Sequence, residues 1–176
     1  MKLRGFLFLL CVTESSLTLA DDQYFGSWGA GELTDGAGAF AGTVNDSGAL
    51  FGQFCYKRDG NCAWLLAIST SCEDGTRYPV LINGGTGSDT AQVICTGTTG
   101  DGKSRYVFSD FDTIGRAIVG AKTIGFAFPM RDGMFQVSRF TLDGSPEALA
   151  YLRGIASNFG SAPPPTRPTG TRDQRL

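Results

Sequence analysis

Histidine is absent from this 176-residue chain. That removes the Ser-His and Cys-His nucleophile arrangements and the commonest protein metal ligand. No two cysteines stand in a C-x-x-C spacing, which argues against thiol redox catalysis and zinc-ribbon chemistry. Charge is sparse too. Only 18% of residues are charged, and the net charge is −2. A protein that neutralises nucleic-acid phosphates carries a basic footprint, and none is present. No apolar run reaches bilayer-spanning length. These absences leave no cofactor or metal set to assign. They leave carboxylate chemistry open: a glycosidase-like cleft would need two of the scattered Glu32, Glu73 and Glu147 to converge within about 5–10 Å.

The N-terminus supplies the first positive feature. "MKLRGFLFLLCVTESSLTLA" has Lys2 and Arg4, an apolar run from Phe6 to Val12, and a polar stretch ending in Thr18-Leu19-Ala20. A basic start, a short hydrophobic core and a small residue at the cut describe a secretory signal. Cleavage is expected after Ala20. The mature chain then loses Lys2, Arg4 and Glu14, which leaves 13 basic and 16 acidic residues. At the other end, "SAPPPTRPTGTRDQRL" is rich in Pro, Thr and Arg. Such a composition cannot bury enough apolar surface to offset its ordering entropy. The expected organisation is a signal over 1–20, one domain over 21–160, and a disordered tail over 161–176.

Four cysteines remain after the signal: Cys55, Cys62, Cys72 and Cys95. An even number in an exported chain predicts disulfides. "LFGQFCYKRDGNCAWLLAIS" reads as two strands around Lys57-Arg58-Asp59-Gly60. With those four residues as the loop, Cys55 faces Cys62, close enough for a bridge. Cys72 then pairs with Cys95. A two-residue Asp59-Gly60 turn would instead set Cys55 opposite Trp64, so the other two connectivities stay open.

Alternating runs dominate the remainder. "CAWLLAIS" puts Trp64, Leu66 and Ile68 on one face, "SRYVFSDF" does the same for Tyr106 and Phe108, and "KTIGFAFPM" for Ile124, Phe126 and Phe128. "RYPVLIN" and "TAQVICT" are further β-rich runs between turn clusters. In "GMFQVSRFTL" the apolar set shifts parity from Phe135 and Val137 to Phe140 and Leu142, which predicts a bulge near Ser138-Arg139. Period-two patterns with frequent turns indicate an antiparallel domain. Two segments read as helices. "DTIGRAIVG" has Asp110 or Asp112 as N-cap. "SPEALAYLRGIASNFG" has Ser145 as cap, Pro146 at the first position and Gly160 as stop. The predicted fold class is mainly β: an antiparallel sandwich or barrel-like domain with one short internal helix and a C-terminal helix, stapled by two disulfides.

"GTTGDGKS", residues 97–104, matches the phosphate-loop pattern G-x-x-x-x-G-K-[ST] in full. The pattern acts only where a strand precedes it and a helix follows, because the helix N-terminus supplies the amides that hold phosphate. Here Arg105-Tyr106-Val107-Phe108 follow, an alternating β-type run. The string reads as a hairpin turn, with Lys103 solvated. Asp110 and Asp112 read as caps rather than as calcium ligands. Trp28 and Trp64 read as core before they read as sugar platforms. Asn45-Asp46-Ser47 fits a glycosylation acceptor.

"GFAFPMRDGMFQVSRFTLDGSPEALAYL" resembles the end of the invasion-associated locus B group of exported bacterial proteins. Thr141-Leu142-Asp143-Gly144 occupies that group's Ser-Leu-x-Gly-like step, with Ala148-Leu149 in the helix beyond. The resemblance implies a β-sandwich-like fold, a periplasmic or extracellular bacterial location, and no catalytic residues. The resulting expectation is a non-catalytic binding protein of the envelope or host interface. Its partner would be a protein or glycan, with no nucleotide, nucleic acid or membrane span. A carboxylate-dependent glycan hydrolase and a periplasmic inhibitor or immunity protein are the alternatives.

Overall fold

The computed structural model describes residues 22–129 and 134–159. The expected signal, its cleavage site, Gly160 and the tail lie outside these residues. The described chain runs β1 (Gln23–Phe25), β2 (Trp28–Glu32), β3 (Gly38–Val44), β4 (Leu50–Tyr56), β5 (Cys62–Ile68), β6 (Arg77–Gly84), β7 (Gly87–Thr98), β8 (Ser104–Phe108), α1 (Phe111–Ile118), β9 (Thr123–Pro129), β10 (Phe135–Thr141) and α2 (Ser145–Ala156).

All ten strands join one antiparallel sheet in the order β1-β2-β3-β4-β5-β8-β7-β6-β9-β10. The first five form a meander. Strands β6 to β8 form a second meander that lays β8 beside β5, and α1 then carries the chain across to β9, next to β6. The sheet is not closed, but its two ends curl together as in a sandwich. Phe51 on β4 packs on Phe140 of the edge strand β10 at 5.6 Å and on Phe126 of β9 at 5.0 Å. Side chains from the opposite end reach the β10 backbone: Trp28 Nε1 donates to the Thr141 carbonyl at 2.9 Å, and Asn45 Nδ2 to the Arg139 carbonyl at 3.2 Å. Trp28, Phe51, Leu66, Phe126 and Ile114 are all fully buried there.

Both disulfides form as expected, Cys55–Cys62 and Cys72–Cys95. Cys55 stands directly opposite Cys62 in the β4–β5 register. The Tyr56 amide donates to the Asn61 carbonyl at 2.9 Å, which closes the four-residue loop over 57–60.

The cross-strand rows on the inner face explain why the Gly/Ala-rich segment before residue 45 forms strands at all. Ala30 pairs with Ala41, Ala41 with Gln53, and Gln53 with Trp64. Directly opposed residues share a face, so these four side chains make one row across β2 to β5. Ala30, Ala39 and Ala41 are fully buried. Helix α2 packs on β2 and β3, with Ala148, Leu149 and Leu152 as its buried residues. Larger side chains at the alanines would lift it off.

Two expectations are corrected. Strand β10 has no bulge at Ser138-Arg139: its register with β9 is unbroken from Phe135↔Pro129 to Thr141↔Thr123. Ser138 and Phe140 point inward, while Phe135 and Val137 are exposed. The inward anchoring of Phe140 against Phe51 sets the parity, and the outer apolar pair follows from it. The irregularity lies instead in β7, between Cys95 and Thr98. The second correction concerns α2. Ser145 is its first residue, and Gly144 is the N-cap, at φ 83°, with no side-chain cap bond. A Cβ on Gly144 would overlap the Phe25 carbonyl oxygen. The turn is pressed against the β1–β2 hairpin, where the Ser27 amide also donates to the Asp143 carbonyl at 3.1 Å. Only glycine combines that left-handed backbone with that approach.

Replacing Gly144 by Ala is therefore expected to destabilise the protein by at least about 2 kcal/mol. Gly154, exposed on α2 with nothing near its missing Cβ, gives the opposite result: Gly154→Ala is expected to add about 0.5–1 kcal/mol. Urea midpoints at constant slope check both. A Cys72→Ala/Cys95→Ala variant is expected to lose about 3 kcal/mol in the chain-entropy model, read by the same titration. Thiol counting on the native protein is expected to find none of these four cysteines free.

Candidate binding cleft

The row Ala30-Ala41-Gln53-Trp64 rises from small to large side chains. Helix α2 rests on the small end. Where the row grows, the sheet is covered by neither helix completely, and a cleft of about 750 Å³ opens between α1 and α2. Gln53, Trp64 and Cys62 form its floor. Phe111, Gly115, Ile118 and Val119 of the α1 side form one wall, and Pro146, Leu149 and Arg153 of α2 the other. Phe111 lies against Trp64 with ring centroids 6.0 Å apart. The volume and the mostly apolar lining, with a few polar groups, match the usual character of small-ligand sites.

Helix α1 is fixed by its first turn. Asp110 Oδ1 accepts from the Asp112 and Thr113 amides at 3.0 and 3.2 Å, and Oδ2 from the Thr113 hydroxyl at 2.6 Å. Those bonds, the Thr113 hydroxyl first, hold the Asp110 carboxyl below its usual range. Asp110 is thus the N-cap, and Asp112 lies in the first turn. The cap sets where Phe111 enters the cleft.

The polar groups of the cleft are poorly matched. Trp64 is 2% exposed, and its buried Nε1 has no acceptor among the described residues. Such an orphaned donor costs about 1–3 kcal/mol and calls for an explanation. Gln53 is 6% exposed, and its amide makes no hydrogen bond to another described residue. Arg153 is exposed and takes part in none of the ion pairs among the described residues. No Asp or Glu lines the cleft.

The other sequence candidates lie elsewhere. Glu32 pairs with Lys57 at 2.7 Å on the surface, Glu73 sits beside the Tyr78 hydroxyl, and Glu147 lies in the first turn of α2. The three do not share this cleft. Trp28 is core, as expected. Trp64 is core and cleft floor together, which the sequence did not show. The Asn45 side chain is engaged in its own turn: Oδ1 accepts from the Ser47 and Ala49 amides at 3.1 and 2.9 Å. No group of three or more potential metal ligands clusters among the described residues. None of the described helices is long and apolar enough to cross a membrane.

The string 97–104 spans the β7–β8 turn, and Ser104 opens a strand rather than a helix. Thr99 organises the turn: its hydroxyl contacts Asp101 at 2.5 Å and accepts from the Lys103 amide at 3.1 Å. Lys103 is less solvated than expected, its side chain 20% exposed and paired with Asp101. That ammonium, with the Thr99 hydroxyl, lowers the Asp101 carboxyl to about 2. The folded value lies below the unfolded one. The pair therefore supports the fold above pH ~4, and its contribution is lost as pH falls towards 2. Lys103→Ala is expected to leave the fold intact and return Asp101 towards an ordinary carboxylate titration, followed by carboxyl NMR. Calorimetry of the wild type with Mg-ATP or Mg-GTP is expected to show no heat above dilution.

Comparison with known proteins adds a fold-level likeness. No protein-family model matches the sequence, and no curated protein matches it. Among solved structures, invasion associated protein B from Bartonella henselae superposes with a TM-score of 0.57 at 14% identity, covering 78% of this chain and 99% of that one. At that identity the two share architecture.

Proposed function

We propose that this chain is an exported, non-catalytic binding protein of the bacterial envelope or host interface, and that the α1–α2 cleft is its binding site. The observation that carries the reading is the cleft's lining: apolar walls, an aromatic corner of Trp64 and Phe111, donors without acceptors, and no carboxylate. General acid–base hydrolysis of glycans uses two carboxylates across a cleft, and this cleft lacks them. Two disulfides suit an oxidising compartment, and the fold-level likeness to invasion associated protein B fits a role at the host interface. The expected signal over 1–20 supplies the route.

Two measurements test it together. Expressed from the full chain in a secretion-competent bacterium, the protein is expected outside the cytoplasm, beginning at Asp21. A photocrosslinker placed at Phe111, 41% exposed at the cleft wall, is expected to form a defined adduct in envelope or host-surface extracts. The same crosslinker at Leu81, which is exposed on β6 away from the cleft, is expected to form none. Cytoplasmic retention with reduced thiols, or identical adducts from both positions, contradicts the proposal.

A further inference from the structure

The polarity of the cleft narrows what can occupy it. An indole N–H only donates, and so does a guanidinium. Trp64 Nε1 on the floor has no acceptor. Arg153 on the α2 wall has no carboxylate partner among the described residues. Gln53, directly opposite Trp64 in the β4–β5 register, adds an amide that can donate as well. Three side chains that can donate, Gln53, Trp64 and Arg153, line one apolar cavity of about 750 Å³ whose lining contains no acidic side chain. An occupant that satisfies them brings acceptor oxygens and negative charge. The surrounding surface of Phe111, Ile118, Val119, Pro146 and Leu149 asks for an apolar body beside them.

We infer that the cleft binds an anionic amphiphile, a monocarboxylate with a linear apolar tail, its carboxylate held by Arg153 and Gln53 and its tail laid along the α1 wall. The inference rests on the cleft being the binding site. Carboxylate–guanidinium hydrogen bonds are charge-assisted and favour this head group over a neutral or cationic one. Burial of the tail supplies the non-directional part of the affinity. Trp64 Nε1 is itself shielded from solvent, so it gains an acceptor from the head group only if the indole turns when the ligand enters. Such a turn changes the fluorescence of one of the two tryptophans.

The test uses the oxidised, exported protein and laurate as probe, below its micellar concentration. Dodecyltrimethylammonium carries a closely similar linear tail on a cationic head, and butyrate carries the same head with only a short chain. Calorimetry and tryptophan fluorescence are expected to show one saturable laurate site, with the cation and butyrate each at least about tenfold weaker. Arg153→Glu, an exposed change, is expected to reverse the preference between laurate and the cation. Gln53→Met, a near-isosteric replacement, is expected to weaken laurate severalfold more than it weakens the cation. Equal affinity for both head groups, or a preference that survives Arg153→Glu, overturns the inference. So does the absence of saturable laurate binding. If laurate fails while the Phe111 crosslink forms, the ligand class is rejected and the binding-protein reading stands. If both fail, both are rejected.

Discussion

Helix α2 can reach the sheet only because Ala30, Ala39 and Ala41 present almost no side chain beneath it. The remaining architecture at this end follows from that contact. Leu149 and Leu152 bury themselves in the space the alanines leave, and each such burial is worth about 1.5–3 kcal/mol relative to exposure. The helix must also start within touching distance of the β1–β2 hairpin. Gly144 makes that start by taking a left-handed backbone against the Phe25 carbonyl. A short helix that would be marginal alone is thereby anchored at its first residue and along one face.

The cleft is a consequence of the same step in side-chain size. Along one row the sheet offers Ala30, Ala41, Gln53 and Trp64. A helix seated on the first two cannot lie flat over the last two. Helix α1 arrives from β8 on the other side, held by the Asp110 cap, and stops short of α2. The gap between them keeps an aromatic floor. The orphaned Trp64 N–H is a cost that the packing alone does not explain, which makes it the most informative atom in the site.

Much of the framework was legible in the sequence, for reasons that particular residues make plain. Cys55 and Cys62 flank a four-residue loop in a hairpin, so local geometry favoured that pair and with it Cys72–Cys95, while a two-residue turn kept the other connectivities open until the register was seen. Tyr106 and Phe108 alternate with polar neighbours, which marked the segment after Lys103 as a strand and emptied the phosphate-loop match of its usual meaning. What escaped depends on distant contacts. Strands β2 and β3 are rich in Gly and Ala, residues of low β-propensity, and hold their place through a helix more than a hundred residues away. The parity of β10 was misread because Phe135 and Val137 are apolar yet sit outside, beside Leu81 and Ala127 on the neighbouring strands. Helix α2 was found, but its cap was assigned to Ser145 on propensity, whereas close backbone approach selects Gly144. The cleft could not be seen at all, because its floor and walls come from segments far apart in the chain.

The placement of helix α2, and with it the cleft, depends most directly on the alanine seat. Hydrogen exchange of an Ala41→Leu variant, compared with wild type, reads it segment by segment. Overfilling that one position is expected to strip protection from the α2 amides between Leu149 and Ala156 while β5 and β8 stay protected, because only the helix rests on the added side chain. Unchanged protection in α2, or a uniform loss across the whole sheet, would contradict the claim that the small residues of β2 and β3 position the helix and thereby the cleft.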